Sequence, residues 1–183
     1  MSENELIQLL KNPKTINNAF KELVSTYKER LYWHIRKIVI NHDDTDDVLQ
    51  NTFVKIFRNI SKFNEDSKLY SWMYRIATNE AITFINQRAK KNNSTTEEVQ
   101  QTILGNLVSD EYFDGNAAQL KLQQAIATLP QKQQLVFNMK YFDNVKYKDM
   151  SEILDTSVGA LKASYHHAVK KIEFYIKEDA HQN

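Results

Sequence analysis

The sequence predicts an all-α protein: two small helical domains, an N-terminal helical bundle and a C-terminal helix-turn-helix, joined by a flexible acidic linker. Three observations predict it. Only three Gly and two Pro occur in 183 residues, so little interrupts a helix. Apolar residues recur every three or four positions through most of the chain, the period of a helix with one buried face. That period lapses once, over residues 92–116, and the charge changes sign there. The domains are therefore 1–91 and 117–183, with 92–116 between them. Residues 1–91 carry 15 Lys/Arg against 11 Asp/Glu, residues 92–116 carry none against five, and residues 117–183 carry nine against seven. The net charge of +1 conceals two mildly basic lobes around an acidic connector.

Composition also excludes. With no cysteine there is no disulfide framework, thiolate zinc site or cysteine nucleophile. No apolar run reaches membrane-spanning length, and the opening MSENELIQLL lacks the basic-then-apolar order of a signal peptide. A cytoplasmic location is expected. So small a basic excess predicts weak binding of the isolated chain to DNA, because phosphate neutralisation supplies most non-specific affinity. A DNA function would need a larger partner to hold the chain in place.

The first long helix is expected over residues 16–40, where Ala19, Phe20, Leu23, Val24, Tyr27, Leu31, Ile35 and Ile38 keep helical spacing. Residues 41–44 break it, and Asp43 or Asp44 is the expected cap of a second helix over 45–60. That helix buries Leu49, Phe53, Ile56 and Ile60. Its other face presents Asp47, Gln50, Asn51, Val54 and Arg58, with Phe57 at the border. A mixture of acids, amides and apolar groups suits a protein partner better than bare water. Residues 61–68 form a polar loop.

The third helix, residues 70–91, turns Leu69, Met73, Ile76, Ala77 and Phe84 to one side. Trp72, Arg75, Asn79, Thr83 and Asn86 fall on a neighbouring stripe. Arginine forks and asparagine amides read base edges, and aromatic rings hold unstacked bases. Arg88, Lys90 and Lys91 add charge for phosphates. The same spacing also fits an amphipathic helix whose polar face is merely wet.

Residues 92–116 read as linker with one weak helical turn at residues 99–104. The second lobe opens with a helix over 120–129, and Pro130 starts another, whose buried face is Leu135, Val136, Met139 and Phe142. A short helix over 147–154, the turn Asp155-Thr156-Ser157 and a longer helix from Val158 to about 177 follow the helix-turn-helix pattern. Ser157 is the expected cap of the last helix. Leu161, Tyr165, Ala168, Val169, Ile172 and Ile176 face inward. Ala160, Ala163, Ser164, His167, Lys170 and Lys171 face out, with Lys162 and His166 on the flanks. Small residues admit a close approach to a major groove and the cations reach phosphates. An ordinary helical hairpin with a lysine-rich face fits the same pattern.

Taken in this order, the motifs resemble those of the small two-domain extracytoplasmic-function group of sigma factors of bacterial RNA polymerase. DDTDDVLQNTFVKIF (43–57) resembles the family's polymerase-clamp-binding helix, with Asp46, Asp47, Gln50 and Phe53 in the motif positions. YSWMYRIATNEAI (70–82) resembles its promoter-melting segment through Trp72, Tyr74, Arg75, Ile76, Ala77 and Asn79. LQQAIATLPQKQQLVF (122–137) resembles the entry to its fourth conserved region, and SVGALKASYHHAVKKI (157–172) its recognition helix. The chain departs from the common pattern at Ala160, Ser164, His167 and Thr83. Those positions bear on which promoter is read, not on the class.

The resemblance implies a non-enzymatic promoter-specificity subunit. Asp46, Asp47, Gln50, Asn51, Phe53, Val54 and Phe57 would dock on core RNA polymerase. Trp72, Arg75, Asn79, Thr83, Asn86 and Arg88, with the loop 63–71, would hold the melted −10 strand. Lys162, Ser164, His166, His167, Lys170 and Lys171 would grip the −35 duplex, and the linker would thread the polymerase's RNA channel. Core polymerase and promoter DNA are the implied partners. The family also admits a restraining anti-sigma factor, of which the sequence carries no sign. No cofactor, metal or small-molecule substrate is implied. Three rivals stand beside it: an autonomous helix-turn-helix regulator, a helical adaptor, and an enzyme using the DDTDD cluster. That cluster lacks the glycine and distant glutamate of a calcium loop, and the five histidines show no ligand spacing.

Overall fold

The computed structural model describes residues 1–107 and 115–182 of the chain, and all regular structure among them is helical. The helices are α1 (Glu3–Lys11), α2 (Ile16–Val39), α3 (His42–Asn59), α4 (Leu69–Lys91), α5 (Thr96–Gly105), α6 (Ala117–Ala127), α7 (Gln131–Tyr141), α8 (Tyr147–Leu154) and α9 (Val158–Gln182), with one 3₁₀ turn at Ile60–Lys62. None is long and apolar enough to cross a membrane.

The long helices follow their apolar period. Leu23, Leu31 and Ile35 of α2, Leu49 and Ile56 of α3, and Leu69, Met73, Ala77 and Ala81 of α4 meet in one core. Each such Leu or Ile removed from water contributes about 1.5–3 kcal/mol. In α4 the fully buried line continues at four-residue steps through Ile85 and Ala89. Ile76 and Phe84, expected inside, are only half buried.

Boundaries moved where capping decided them. Asn41, not Asp43 or Asp44, caps α3: its side chain accepts from the Asp44 N–H at 3.0 Å. The helix thus begins three residues before residue 45. At the end of α2, Ile40 adopts φ 72° and Asn41 N–H reaches Val39 O at 2.9 Å. This three-residue turn is uncommon for a β-branched residue. It aims Ile40 at the small cluster of Leu104, Leu107 and Ala127.

Two elements exceed expectation. α1 is capped by Ser2 and Glu5 reciprocally and buries Leu6, Ile7 and Leu10 in the core. The expected flexible linker is ordered helix over Thr96–Gly105, opened by a capping box of Thr95 and Glu98. The weak turn expected at residues 99–104 is thus a full helix, packed through Val99, Gln100 and Leu104. Asp110, Glu111 and Asp114, which carry most of the expected linker charge, lie outside the described residues.

In the second lobe, Leu135, Val136 and Met139 of α7 are buried as expected, but Phe142 is exposed just past the helix end and Phe137 takes an inward place. Asp155 closes α8 with φ 50°, a left-handed conformation that aspartate tolerates. Ser157 Oγ then accepts from the Ala160 N–H at 3.2 Å and starts α9. Leu161, Ala168 and Ile172 are its buried face.

Candidate nucleic-acid interface

On α4 the predicted stripe is presented as expected. Arg75, Asn79, Thr83 and Asn86 are exposed and Trp72 is half buried. The core residues on the opposite side fix the rotation of the helix, and so fix the stripe. Trp72 leans on Phe63, ring centroids 5.2 Å apart, and Phe63 is itself buried under the Lys11 ammonium. The 63–71 loop is therefore pinned at its start by an aromatic pair beside the stripe. Arg88 behaves differently. Its guanidinium is paired with Asp44 of α3 and lies over the Phe84 ring, so it ties α4 to α3.

The side of α3 expected to meet a protein partner is also exposed: Asp46, Asp47, Gln50, Asn51, Val54 and Phe57. Phe53 is half buried, and Phe20 meets Phe57 edge-on at 4.9 Å and Phe53 at 6.2 Å. The patch is thus two exposed apolar groups set among acids and amides on a rigid base.

On α9, Lys162, His166, His167, Lys170 and Lys171 are exposed and Ser164 is half buried. Sequence reasoning missed what stands next to them. Tyr147 of α8 lies under the Lys140 ammonium at 4.7 Å and the Lys162 ammonium at 5.8 Å, with Lys146 and Lys148 exposed on either side. The run KYKD at residues 146–149 was the available signal. The ring thus gathers Lys140 and Lys162 at the start of the first helix of the helix-turn-helix.

The stripe and the second lobe face each other. Arg75, Asn79 and Ile82 of α4 share a cleft of about 260 Å³ with Lys132, Leu135, Leu154 and Asp155. At the rim, Lys68 Nζ donates to both carboxylate oxygens of Asp149 at 2.9 and 3.1 Å. That pairing holds the Lys68 ammonium above the ordinary lysine value. On the other side, Lys37 Nζ donates to Asp143 Oδ1 at 2.6 Å. Asp143 Oδ2 stands 3.8 Å from His34 Nδ1, too far for a hydrogen bond.

Comparison with known proteins identifies the family of both lobes. The sigma-70 region 2 family matches residues 23–91 and the sigma-70 region 4 family matches residues 119–172. These spans contain the α3 patch and α4 stripe, and the helix-turn-helix, respectively. The ECF RNA polymerase sigma factor SigW of Bacillus subtilis is 31% identical over 158 residues, 81% of this chain and 84% of that protein. The ECF RNA polymerase sigma-E factor of Haemophilus influenzae is 26% identical over 163 residues, 85% of this chain and 86% of that one. Among solved structures, CnrH in complex with the cytosolic domain of CnrY shares the fold at a TM-score of 0.70 and 20% identity, over 97% of this chain and 98% of that one. RpoE in complex with the anti-sigma factor NepR from Bartonella quintana does so at 0.65 and 17%, over 86% and 96%. Two family matches in this order, over residues 23–91 and 119–172, place the chain in one family. The chain belongs to the extracytoplasmic-function sigma factors, the promoter-specificity subunits of bacterial RNA polymerase.

Proposed function

We propose that the α3 patch docks on core polymerase, the α4 stripe holds the melted −10 strand, and the α9 face with the Tyr147 cluster grips the −35 duplex. The observation that carries this reading is the exposure of Arg75 and Asn79 beside the Phe63–Trp72 pair. One surface thus offers a ring for stacking and two polar groups for base edges. Extruding a base costs a few kcal/mol, and stacking with pocket hydrogen bonds offsets it. Strand capture opens the duplex without covalent chemistry, so no catalytic residue is assigned and the protein works as a non-enzymatic subunit beside the polymerase, in the cytoplasm. On the second lobe, Lys170 and Lys171 meet phosphates, while Lys162, Ser164, His166 and His167 lie nearer the groove.

An anti-sigma factor is a reasonable further partner, since RpoE of Bartonella quintana was solved bound to one. In vitro transcription from a random promoter library tests the function: enriched templates should share two elements, and only when core enzyme and this chain are both present. Specific DNA retention by the chain alone would favour an autonomous regulator instead.

A further inference from the structure

α1 lies against the loop that the reading above gives to the melted strand. Leu6, Ile7 and Leu10 seat it in the common core, and the Ser2–Glu5 capping box fixes where its first turn begins. The core thus sets the rotation of α1, so its charged side chains stand at defined places. Two of them reach the stretch 63–69, one at each end. Lys11 Nζ donates to Glu65 Oε1 at 2.6 Å and lies 5.9 Å from the centroid of the Phe63 ring. Glu3 Oε1 accepts from the Leu69 N–H at 3.4 Å, a long bond at the start of α4, where Lys68 supplies no side-chain cap. A carboxylate there also suits the helix dipole.

Glu65 adopts φ 65°, a left-handed conformation that glutamate keeps only where its surroundings fix it. The Lys11 ion pair fixes it from outside the loop. The same ammonium lies over Phe63, the ring on which Trp72 leans at 5.2 Å. One cation therefore sets both the bend of the loop and the ring behind the stacking residue. It also neutralises Glu65, a carboxylate that would otherwise repel the phosphates of a bound strand. The two side chains are 29% and 41% exposed, and so open an ion pair adds little to folding stability. Its effect lies in where the loop stands.

We propose that α1 braces the strand-holding loop, with Lys11 and Glu65 as positioning residues whose pairing keeps the loop and the Phe63–Trp72 rings in the form that accepts extruded bases. The proposal rests on the strand-holding reading of α4 above. It gives Lys11 no contact with DNA.

The test uses holoenzyme, core polymerase with the full chain, and a fluorescent single-stranded oligonucleotide carrying the −10 element of a template enriched from the promoter library. Lys11→Met should weaken binding of this strand about three- to tenfold, whereas Lys11→Arg, which keeps a cation over Phe63, should retain most of it. Glu65→Lys separates bracing from simple attraction. It makes the loop more positive, so attraction to phosphates alone predicts tighter binding. The brace predicts weaker binding, because two ammonium groups then repel across the contact. The double variant Lys11→Glu with Glu65→Lys should recover most of the loss. Binding of a −35 duplex fragment should be unchanged throughout, and melting temperatures should stay within about 4 °C of the parent. Unchanged or tighter strand binding by Glu65→Lys, a swap that recovers nothing, or an equal loss on the −35 duplex overturns the brace. Asn79→Ala checks the underlying reading on the same strand. If it weakens binding while the Lys11 and Glu65 variants bind normally, the brace fails and the reading stands. Normal binding by Asn79→Ala removes the reading, and the brace with it.

Discussion

His34 Nε2 lies 2.7 Å from Thr78 Oγ1, and that hydroxyl donates its single proton to Tyr74 O at 2.7 Å. Thr78 can therefore only accept from His34, which fixes the ring as the Nε2–H form when neutral. Its Nδ1 lone pair then faces the Asp143 carboxylate across the lobe contact, 3.8 Å away. Tyr74 covers the ring at 4.6 Å and Lys37 completes the surroundings.

Burial lowers the His34 pKa below its ordinary 6.5, although Asp143 pulls the other way. A histidine depressed in the folded state stabilises it above its unfolded value, and that stability is lost as pH falls below about 6.5. For Asp143 burial raises the pKa, but His34 and Lys37 outweigh it and hold the carboxyl below the ordinary 3.8. Its contribution is likewise lost in acid, at lower pH. Both groups have the same sign. Thermal melts from pH 7.5 to 5.5 should show stability falling, by no more than about 1.4 kcal/mol per pH unit from His34. His34→Gln, which keeps a donor for Thr78, should flatten that slope. An unchanged slope would assign the pH dependence to another group.

Asn79→Ala should leave binding to core polymerase intact yet abolish opening of the start region, read by permanganate reactivity of unpaired thymines. Asn79 is exposed, so the change carries little folding cost. Trp72→Ala should give the same footprint with an added stability loss, because Trp72 packs on Phe63. Normal footprints in both would remove the strand-holding role from α4.

The helix-turn-helix was legible almost to the residue, because Asp155 and Ser157 punctuate it with a left-handed stop and a cap. The stripe of α4 was legible for a different reason: the core face is long enough to fix the helix rotation. α1 and α5 were missed or underrated although each carries a capping box, at Ser2/Glu5 and Thr95/Glu98; their short apolar sets read as noise without the surface they pack on. Phe142 fails as a core residue because α7 ends at Tyr141, so the helical period no longer applies to it. The ion pairs between the lobes were not legible at all. Lys37 and Asp143 are 106 residues apart and look like ordinary surface charges until the lobes meet.

Val54→Asp should weaken binding to core polymerase at least tenfold, more than about 1.4 kcal/mol, with little change in melting temperature, since Val54 is 42% exposed. Phe57→Ala should weaken the same binding but also cost about 0.5–1.5 kcal/mol of stability through its edge contact with Phe20. Equilibrium titration of labelled core enzyme, with melts in parallel, separates the two. Full affinity in Val54→Asp would move the docking surface elsewhere.

Replacing Lys170 and Lys171 with alanine should weaken duplex binding by the holoenzyme evenly across sequences. Each lost phosphate contact lowers the slope of log affinity against log salt by about 0.9, so the double variant should lose about 2. A salt titration on two unrelated promoters reads both effects. A loss confined to one sequence would make these lysines base readers instead.

Gln100 of α5 and Gln134 of α7 form a reciprocal amide pair, at 3.2 and 3.1 Å, and both are buried. Gln134 also donates to Leu129 O at 2.7 Å. Removing one amide strands the other away from water, which costs about 1–3 kcal/mol. Gln100→Leu should therefore destabilise the protein by about that amount in urea unfolding, and Gln134→Leu by more, because Leu129 O also loses its donor. The double variant should cost less than the sum of the two, since no stranded amide remains and two apolar groups meet instead. Strict additivity would mean that α5 is held to the second lobe by its apolar contacts alone, and that this pair contributes nothing to how the linker helix is seated.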